Sequence, residues 1–261
     1  MRILFWKARP VPVLELHGTL SGRMGALNIG AFGPLIDRAV AAAGKGGTLV
    51  LDIDSPGGSP VQSDLIASRL RARAAEKGVR LVAVIGEVGA SGGYWLACAA
   101  DEIVANPMSV VGSIGVVGGG FGFTDALARL GVQRRLYTAG ENKARLDPFS
   151  PERPQDVEFV RALMAELHER FKSWVRTRRA GKLRAEESAL FDGGWMLGER
   201  AVAAGLVDRL GDLDAEVKRI GGAKARAEVV RPRRRGLLGR LPRMLADAAV
   251  DAIEAAAAPR L

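Results

Sequence analysis

Ser91 is the side chain around which chemistry can be built. It lies in residues 89–97, Gly-Ala-Ser-Gly-Gly-Tyr-Trp-Leu-Ala. An apolar run at 79–85 precedes it and has the length of a buried strand, while 94–100 carries good helix formers and no breaker. Ser91 therefore falls where a strand turns into a helix. The flanking glycines let the backbone bend and let another molecule approach it closely. A helix N-terminus offers unpaired N–H groups and partial positive charge. A serine hydroxyl there can attack a carbonyl, and the resulting oxyanion would meet those donors. The plainer alternative is a tight turn with Ser91 as an N-cap.

Such a serine needs a base. The two histidines are His17, at the end of the first predicted strand, and His168, inside the longest predicted helix. A surface or boundary position is expected for His168. Neither sits in a glycine-rich loop, which speaks against a Ser-His-Asp triad. A lysine can serve if it is neutral, and burial can lower a lysine pKa by up to ~3–5 units. The Ser-Lys variant of the triad logic is established chemistry. Lys143 is the best placed, in a Gly- and Asn-bearing loop after a predicted strand; Lys45 and Lys77 precede strands and lie at the opposite edge. Its neighbours Glu141 and Arg145 point to some exposure. A neutral lysine also needs a polar partner, and Ser113 can supply a hydroxyl. Residues 54–59, Asp-Ser-Pro-Gly-Gly-Ser, present the N–H groups of Gly57 and Gly58 with no side chain in the way. Together with the Gly92 N–H they can form an oxyanion hole, or they are turn chemistry alone.

These residues need a scaffold. Strands are predicted at 11–16, 48–53 and 79–85, and helices at 30–43 and 61–76. The Leu-Val-Leu-Asp-Ile run of the second strand suits a parallel strand covered on both faces. Strand and helix in alternation predict an α/β fold of βαβ units with right-handed crossovers. The loops at 55–59 and 86–93 follow the C-terminal ends of strands, where open α/β sheets bind ligands. Beyond them, strands are predicted at 102–105, 113–117 and 132–138, and a short helix at 124–130. The glycine-rich stretch 118–122 lacks the spacing of a phosphate-binding loop. Residues 151–179 carry the longest helical signal, with Val157, Val160, Met164, Leu167, Phe171 and Trp174 at spacings of three and four. A helix at 198–204, an extended segment at 206–210 and a helix at 214–220 complete the body.

Composition narrows the partners. The formal net charge is +9, much of it near the C-terminus. A basic balance permits nucleic acid or anionic lipid, but the chain has no zinc pattern, aromatic-studded basic strand or recognition helix, so nucleic acid is not expected. The single cysteine, Cys98, cannot form an internal disulfide and reads as a core residue. With two histidines and one cysteine, neither a His/Cys metal site nor a cofactor is expected. No stretch reaches ~18 uninterrupted apolar residues, and 1–10 is too weakly apolar for a signal peptide. The expected location is cytoplasmic, at most peripheral on the inner membrane surface. Residues 1–225 read as the folded domain and 226–261 as a basic tail. The tail places Leu237, Leu238, Leu241, Met244, Leu245, Ala248 and Ala249 on one helical side. It is either a solvated tail or an amphipathic anchor for anionic lipid or a neighbouring subunit.

Residues 89–94 resemble the nucleophile motif of the S49 signal peptide peptidases, the SppA and SohB group. Further stretches resemble the same family in order: Asp-Ser-Pro-Gly-Gly at 54–58, Gly-Ser-Ile-Gly-Val at 112–116, Gly-Glu-Asn-Lys at 140–143 with Asp-Pro-Phe at 147–149, and Gly-Leu-Val-Asp at 205–208 with Gly211. The resemblance spans roughly 11–223. It implies Ser91 as nucleophile, Lys143 as general base, Ser113 as the hydroxyl orienting the lysine, and the N–H groups of Gly58 and Gly92 as oxyanion donors, with Gly57 as a further candidate. It implies a Clp protease/crotonase-like fold of repeated ββα units with a largely parallel sheet. Ring or dome homo-oligomers are implied too, in which serine and lysine can come from neighbouring protomers. The implied substrates are signal peptides and other hydrophobic or unfolded peptides, cleaved without ATP. The chain lacks the N-terminal span of the membrane-bound members, which shifts the expected substrates toward cytoplasmic peptides. Two alternatives are a crotonase-type acyl-CoA enzyme, which would not need Ser91 or Lys143, and an inactive scaffold on the same fold.

Overall fold

The computed structural model describes residues 10–231. The weakly apolar N-terminal run and the amphipathic reading of 237–261 lie outside the described residues. The first half of the chain alternates as its periodicity predicts: β1 (Val11–His17), α1 (Ile29–Ala43), β2 (Thr48–Ser55), α2 (Pro60–Lys77), β3 (Arg80–Ala90) and α3 (Gly92–Ala97). Local chemistry sets the helix ends. The Asn28 side chain caps α1 by accepting the Ala31 N–H at 2.9 Å. Ser59 caps α2, Pro60 occupies its first turn, and Gly78 closes it in a left-handed conformation. The chain continues through β4 (Glu102–Ala105), β5 (Val110–Gly112), α4 (Thr124–Arg129), α5 (Pro154–Arg178), α6 (Glu187–Leu190), β6 (Trp195–Leu197), α7 (Gly198–Ala204), β7 (Arg209–Leu210), α8 (Leu213–Gly221) and β8 (Ala227–Val229).

The strands form one eight-stranded sheet in the order β6-β5-β3-β2-β1-β8, with β4 pairing β3 and β7. Every pairing is parallel except β5 with β6. The fork at β3 matters most for the site. Its first half, from Val82, pairs with β4, and its last residues, Val88 to Ala90, pair with β5. Eleven residues long, β3 thus outruns β4 and carries Ser91 out beside the end of β5. Alternation along the strands sorts the apolar residues by face. Leu14, Leu16, Leu49, Leu51, Ile53, Leu81 and Ile85 join the core that also holds the buried side chains of α1, α2 and α3. The smaller Val11, Val13, Val50, Val82, Val84 and Val104 join Val217 of α8 on the other face.

The structure departs from the sequence pattern at several points: β5 and β6 form where no strand is predicted, β3 runs on to Ala90, and three further differences stand out. Residues 113–117 are not a strand: β5 ends at Gly112, and Ser113 takes φ 52°, outside the strand region. Residues 132–138 have strand-like composition but pair with nothing among the described residues, and they are exposed. At the other end, β8 pairs with β1 through Val11, Pro12 and Val13, so residues assigned to the tail extend the sheet.

Candidate active site

Three turns, each at the C-terminal end of a strand, meet at one cavity. The turn after β2 brings Gly58, the turn after β3 brings Ser91 and Gly92, and the turn after β5 brings Ser113 and Gly115. The cavity has a volume of about 550 Å³, and α5 closes it with Leu167, His168 and Phe171.

Ser91 has φ 52° and ψ −123°, a backbone conformation that L-residues rarely adopt. Such strain costs on the order of 1–3 kcal/mol and clusters where a side chain must be presented. Two backbone bonds hold it: the Ser91 N–H donates to the Gly112 carbonyl at 2.8 Å, and the Ser91 carbonyl accepts the Trp95 N–H at 3.0 Å. Ser91 occupies the N-cap position of α3, but its side chain makes no capping bond there, so the hydroxyl is not spent on the helix end. As the first residue of α3, Gly92 has no partner for its N–H inside the helix. Among the described residues neither the Gly92 nor the Gly58 N–H donates to a protein acceptor. The Gly57 N–H is committed, donating to the Ser55 Oγ at 3.2 Å. Of the three glycines singled out as donors, Gly58 and Gly92 are the uncommitted pair.

Glycine is required here for closeness as well as for conformation. A Cβ on Gly57, at φ 101°, would lie 2.7 Å from both the Gly92 nitrogen and the Ser91 Cβ. A Cβ on Gly93 would lie 2.2 Å from the Ser55 carbonyl oxygen. The loop after β2 and the start of α3 therefore approach too closely to admit a side chain at either glycine. Behind Ser91, the Trp95 ring stacks on Trp174 at 5.7 Å and leans on Phe171 at 5.2 Å. The Trp174 indole N–H donates to the Trp95 carbonyl at 3.0 Å, tying α5 to α3.

Lys143 is elsewhere. It is exposed in a turn between 141 and 146 and does not line the cavity. Its loop is nevertheless well fixed. Arg145 pairs with the buried Asp156 at 3.4 Å and lies over the Phe159 ring at 4.4 Å. Asp147 accepts from Ser150 at 2.7 Å and pairs with Arg134 at 3.2 Å. Within one chain, then, Ser91, Ser113, Gly58 and Gly92 come together and Lys143 does not join them.

Two cavity residues escaped sequence reading. His168 holds the boundary position expected of it, and from there it lines the cavity, with its Nε2 3.0 Å from the Ile114 carbonyl oxygen. Asp192, also on the wall, accepts the Gly194 N–H at 2.7 Å. No bond joins His168 to Ser91 or to Asp192 among the described residues, so the three do not form a triad. Cys98 is fully buried, and burial pushes its thiol up to about 12; it is a core residue and an inert one. Among the described residues no His, Cys, Asp or Glu cluster has the makings of a metal site.

A largely parallel sheet, a serine on a strained strand-to-helix turn and two uncommitted amides lining the same cavity characterise this α/β scaffold. Residues 73–226, more than half of the chain, match peptidase family S49. The chain belongs to that family, and its fold is of the Clp protease/crotonase-like kind. It is similar to the probable protease SohB of Buchnera aphidicola subsp. Acyrthosiphon pisum, 33% identical over 183 residues, covering 69% of this chain and 52% of that protein. Protease 4 of Salmonella typhi is 34% identical over 172 residues, covering 65% of this chain and 27% of that protein. A Brucella melitensis protein named Na(+)/H(+) antiporter NhaA is 42% identical over 234 residues, covering 88% of this chain but only 31% of its own length. The chain thus spans between about a quarter and a half of the length of these relatives.

Proposed function

We propose that the chain acts as an ATP-independent serine endopeptidase with a Ser-Lys dyad, cutting signal peptides or other hydrophobic, unfolded peptides. One observation carries the reading: Ser91, on a strained turn and with no capping bond, lines one cavity with Gly92 and Gly58, whose N–H groups are uncommitted. Ser91 Oγ attacks the scissile carbonyl carbon while a neutral Lys143 amine takes its proton. The oxyanion is held by Gly58 and Gly92. The lysine then gives the proton to the leaving amine, and water, activated by the same lysine, releases the acyl group from Ser91. Ser113 accepts or donates a hydrogen bond to keep the amine oriented. The apolar wall of Val116, Val117, Leu167 and Phe171 favours an apolar substrate side chain.

Lys143 reaches the cavity when copies of the chain assemble as a ring or dome. The exposed apolar side chains around its loop support this: Val117, Phe121, Leu130 and Tyr137 are 96, 82, 75 and 89% exposed. Large apolar side chains this exposed are candidates for cover by a partner surface. Burial at such a contact would also desolvate the amine and favour its neutral form. We place the reaction at the cytoplasmic face, with any membrane contact made through the basic tail. Among the described residues no helix is long and apolar enough to cross a membrane.

The test is a fluorophosphonate probe with Ser91→Ala and Lys143→Ala variants. The wild type should label at Ser91 and cleave a casein or hydrophobic peptide. Ser91→Ala should do neither, and Lys143→Ala should slow both by about 10²–10⁴-fold. Retained cleavage in Ser91→Ala would end the proposal. Acyl-CoA turnover that survives in that variant would favour the crotonase-type alternative, and an unlabelled, inert wild type the scaffold.

A further inference from the structure

Ser113 is held in an unusual turn. Gly112 and Ser113 take φ 112° and 52° in succession, and the Gly115 N–H folds back onto the Ser113 carbonyl at 2.9 Å. Such backbone persists only where its surroundings over-determine it. Two contacts do so, one at the Ser113 N–H and one at the Ile114 carbonyl. The Ser113 N–H donates to the Gly194 carbonyl at 2.7 Å, and Gly194 is itself fixed by its N–H bond to Asp192 at 2.7 Å. The Ile114 carbonyl faces His168 Nε2 at 3.0 Å. Ile114 is fully buried, and among the described residues no other donor serves its carbonyl. A carbonyl only accepts, so Nε2 carries the hydrogen. That proton assignment also prevents Nε2 from taking a proton from Ser91.

We propose that His168 is a positioning residue: by holding the Ile114 carbonyl it fixes the 112–115 turn and so aims the Ser113 hydroxyl and the Gly115 backbone across the cavity at the Ser91 side. The inference rests on the Ser91–Ser113 reading given above. It explains why a polar side chain stands between Leu167 and Phe171 on a wall that is otherwise apolar along α5. It also gives α5 a part in the chemistry without contact between that helix and the substrate's reacting atoms.

The test compares His168→Leu, which fills the space without a donor, with His168→Gln, whose amide can reach the same carbonyl. Four quantities are read in the full-length protein: kcat and KM on a peptide, the rate of fluorophosphonate labelling at Ser91, the melting temperature, and hydrogen exchange of the Ser113 and Gly115 amides. His168→Leu should lower kcat and labelling by about ten- to a hundredfold, the scale of a small misplacement in an active site. KM should change less than about twofold, the mark of a lost transition-state contribution. Exchange at Ser113 and Gly115 should quicken while the melting temperature holds, and His168→Gln should restore most of both. Wild-type kcat and exchange in His168→Leu would overturn the inference while leaving Ser91 as nucleophile. So would a Gln variant no better than Leu at equal melting temperature. If the wild type neither labels nor cleaves, the peptidase reading falls, and amide exchange alone decides whether His168 holds the turn.

Discussion

At Gly57 a single methyl group decides whether the site exists. Its Cβ would press on the Gly92 nitrogen, one of the two proposed oxyanion donors, and on the Cβ of Ser91. Gly57→Ala should therefore cut turnover by about 10²–10³-fold, the usual cost of losing one such donor, while secondary structure by circular dichroism stays unchanged. Cys98 illustrates the opposite case. Its thiol is buried and pushed to about 12 by that burial, so at neutral pH almost no thiolate is present. Iodoacetamide should leave activity untouched and the native protein unmodified by mass spectrometry.

At the scale of elements, the end of α5 is fastened to the strand edge by Arg179 and Asp208. Arg179 is buried and donates to the Gly205 carbonyl at 2.7 and 3.0 Å and to Asp208 at 2.7 Å. Asp208 also accepts the Ile103 N–H at 2.8 Å, joining α5, β4 and the segment entering β7. Close by, the Tyr94 hydroxyl donates to the Leu206 carbonyl at 2.8 Å. This is the structural sense of Gly-Leu-Val-Asp at 205–208: it is a junction that does not line the cavity. Burial raises the Asp208 carboxyl, but hydrogen bonds from Arg179, Lys182 and Ile103 outweigh it and hold the group below its usual range. A lowered carboxylate stabilises the fold above its unfolded pKa and ceases to as pH falls through the folded value. Asp208→Asn leaves a buried guanidinium short of its partner and should cost about 3 kcal/mol at neutral pH. In urea titrations that gap should close as pH drops below about 4. A gap that persists unchanged in acid would show that the ion pair is not its source.

For the whole molecule, the decisive question is what covers the apolar surface around residues 117–149. Phe121, Phe123 and Phe149 lie in a row with ring separations of 6.4 and 5.5 Å, capped by Arg134 over Phe149 at 5.3 Å. If copies cover it, Phe121→Lys with Tyr137→Lys should give monomers by analytical ultracentrifugation, with cleavage reduced by at least about tenfold. Mixing subunits tests where the lysine comes from. Ser91→Ala and Lys143→Ala chains, inactive apart, should regain part of their cleavage when co-assembled if each site draws on two copies. They should stay inactive if it draws on one.

Local pattern was enough for much of this protein. The strand–helix alternation up to Ala97, the capped ends of α1 and α2, and the glycine-bracketed Ser91 are all written in short-range preferences: side-chain period, caps and turn residues. The loops bearing Gly58 and Ser91 were legible at one sheet edge because parallel strands leave their C-terminal ends together. The strand foreseen at 113–117 is broken by the positive φ of Ser113; the one foreseen at 132–138 shows that composition records a residue's liking for a strand, while pairing depends on a neighbour that sequence does not name. For the same reason β8, more than 200 residues from β1, was missed. His168 shows the limit most clearly. Its place on α5 follows from helical period, but which wall that face meets, and that the Ile114 carbonyl lacks a donor there, depend on how distant segments pack. Lys143 marks the same boundary one level higher, since no contact within a single chain brings it to Ser91.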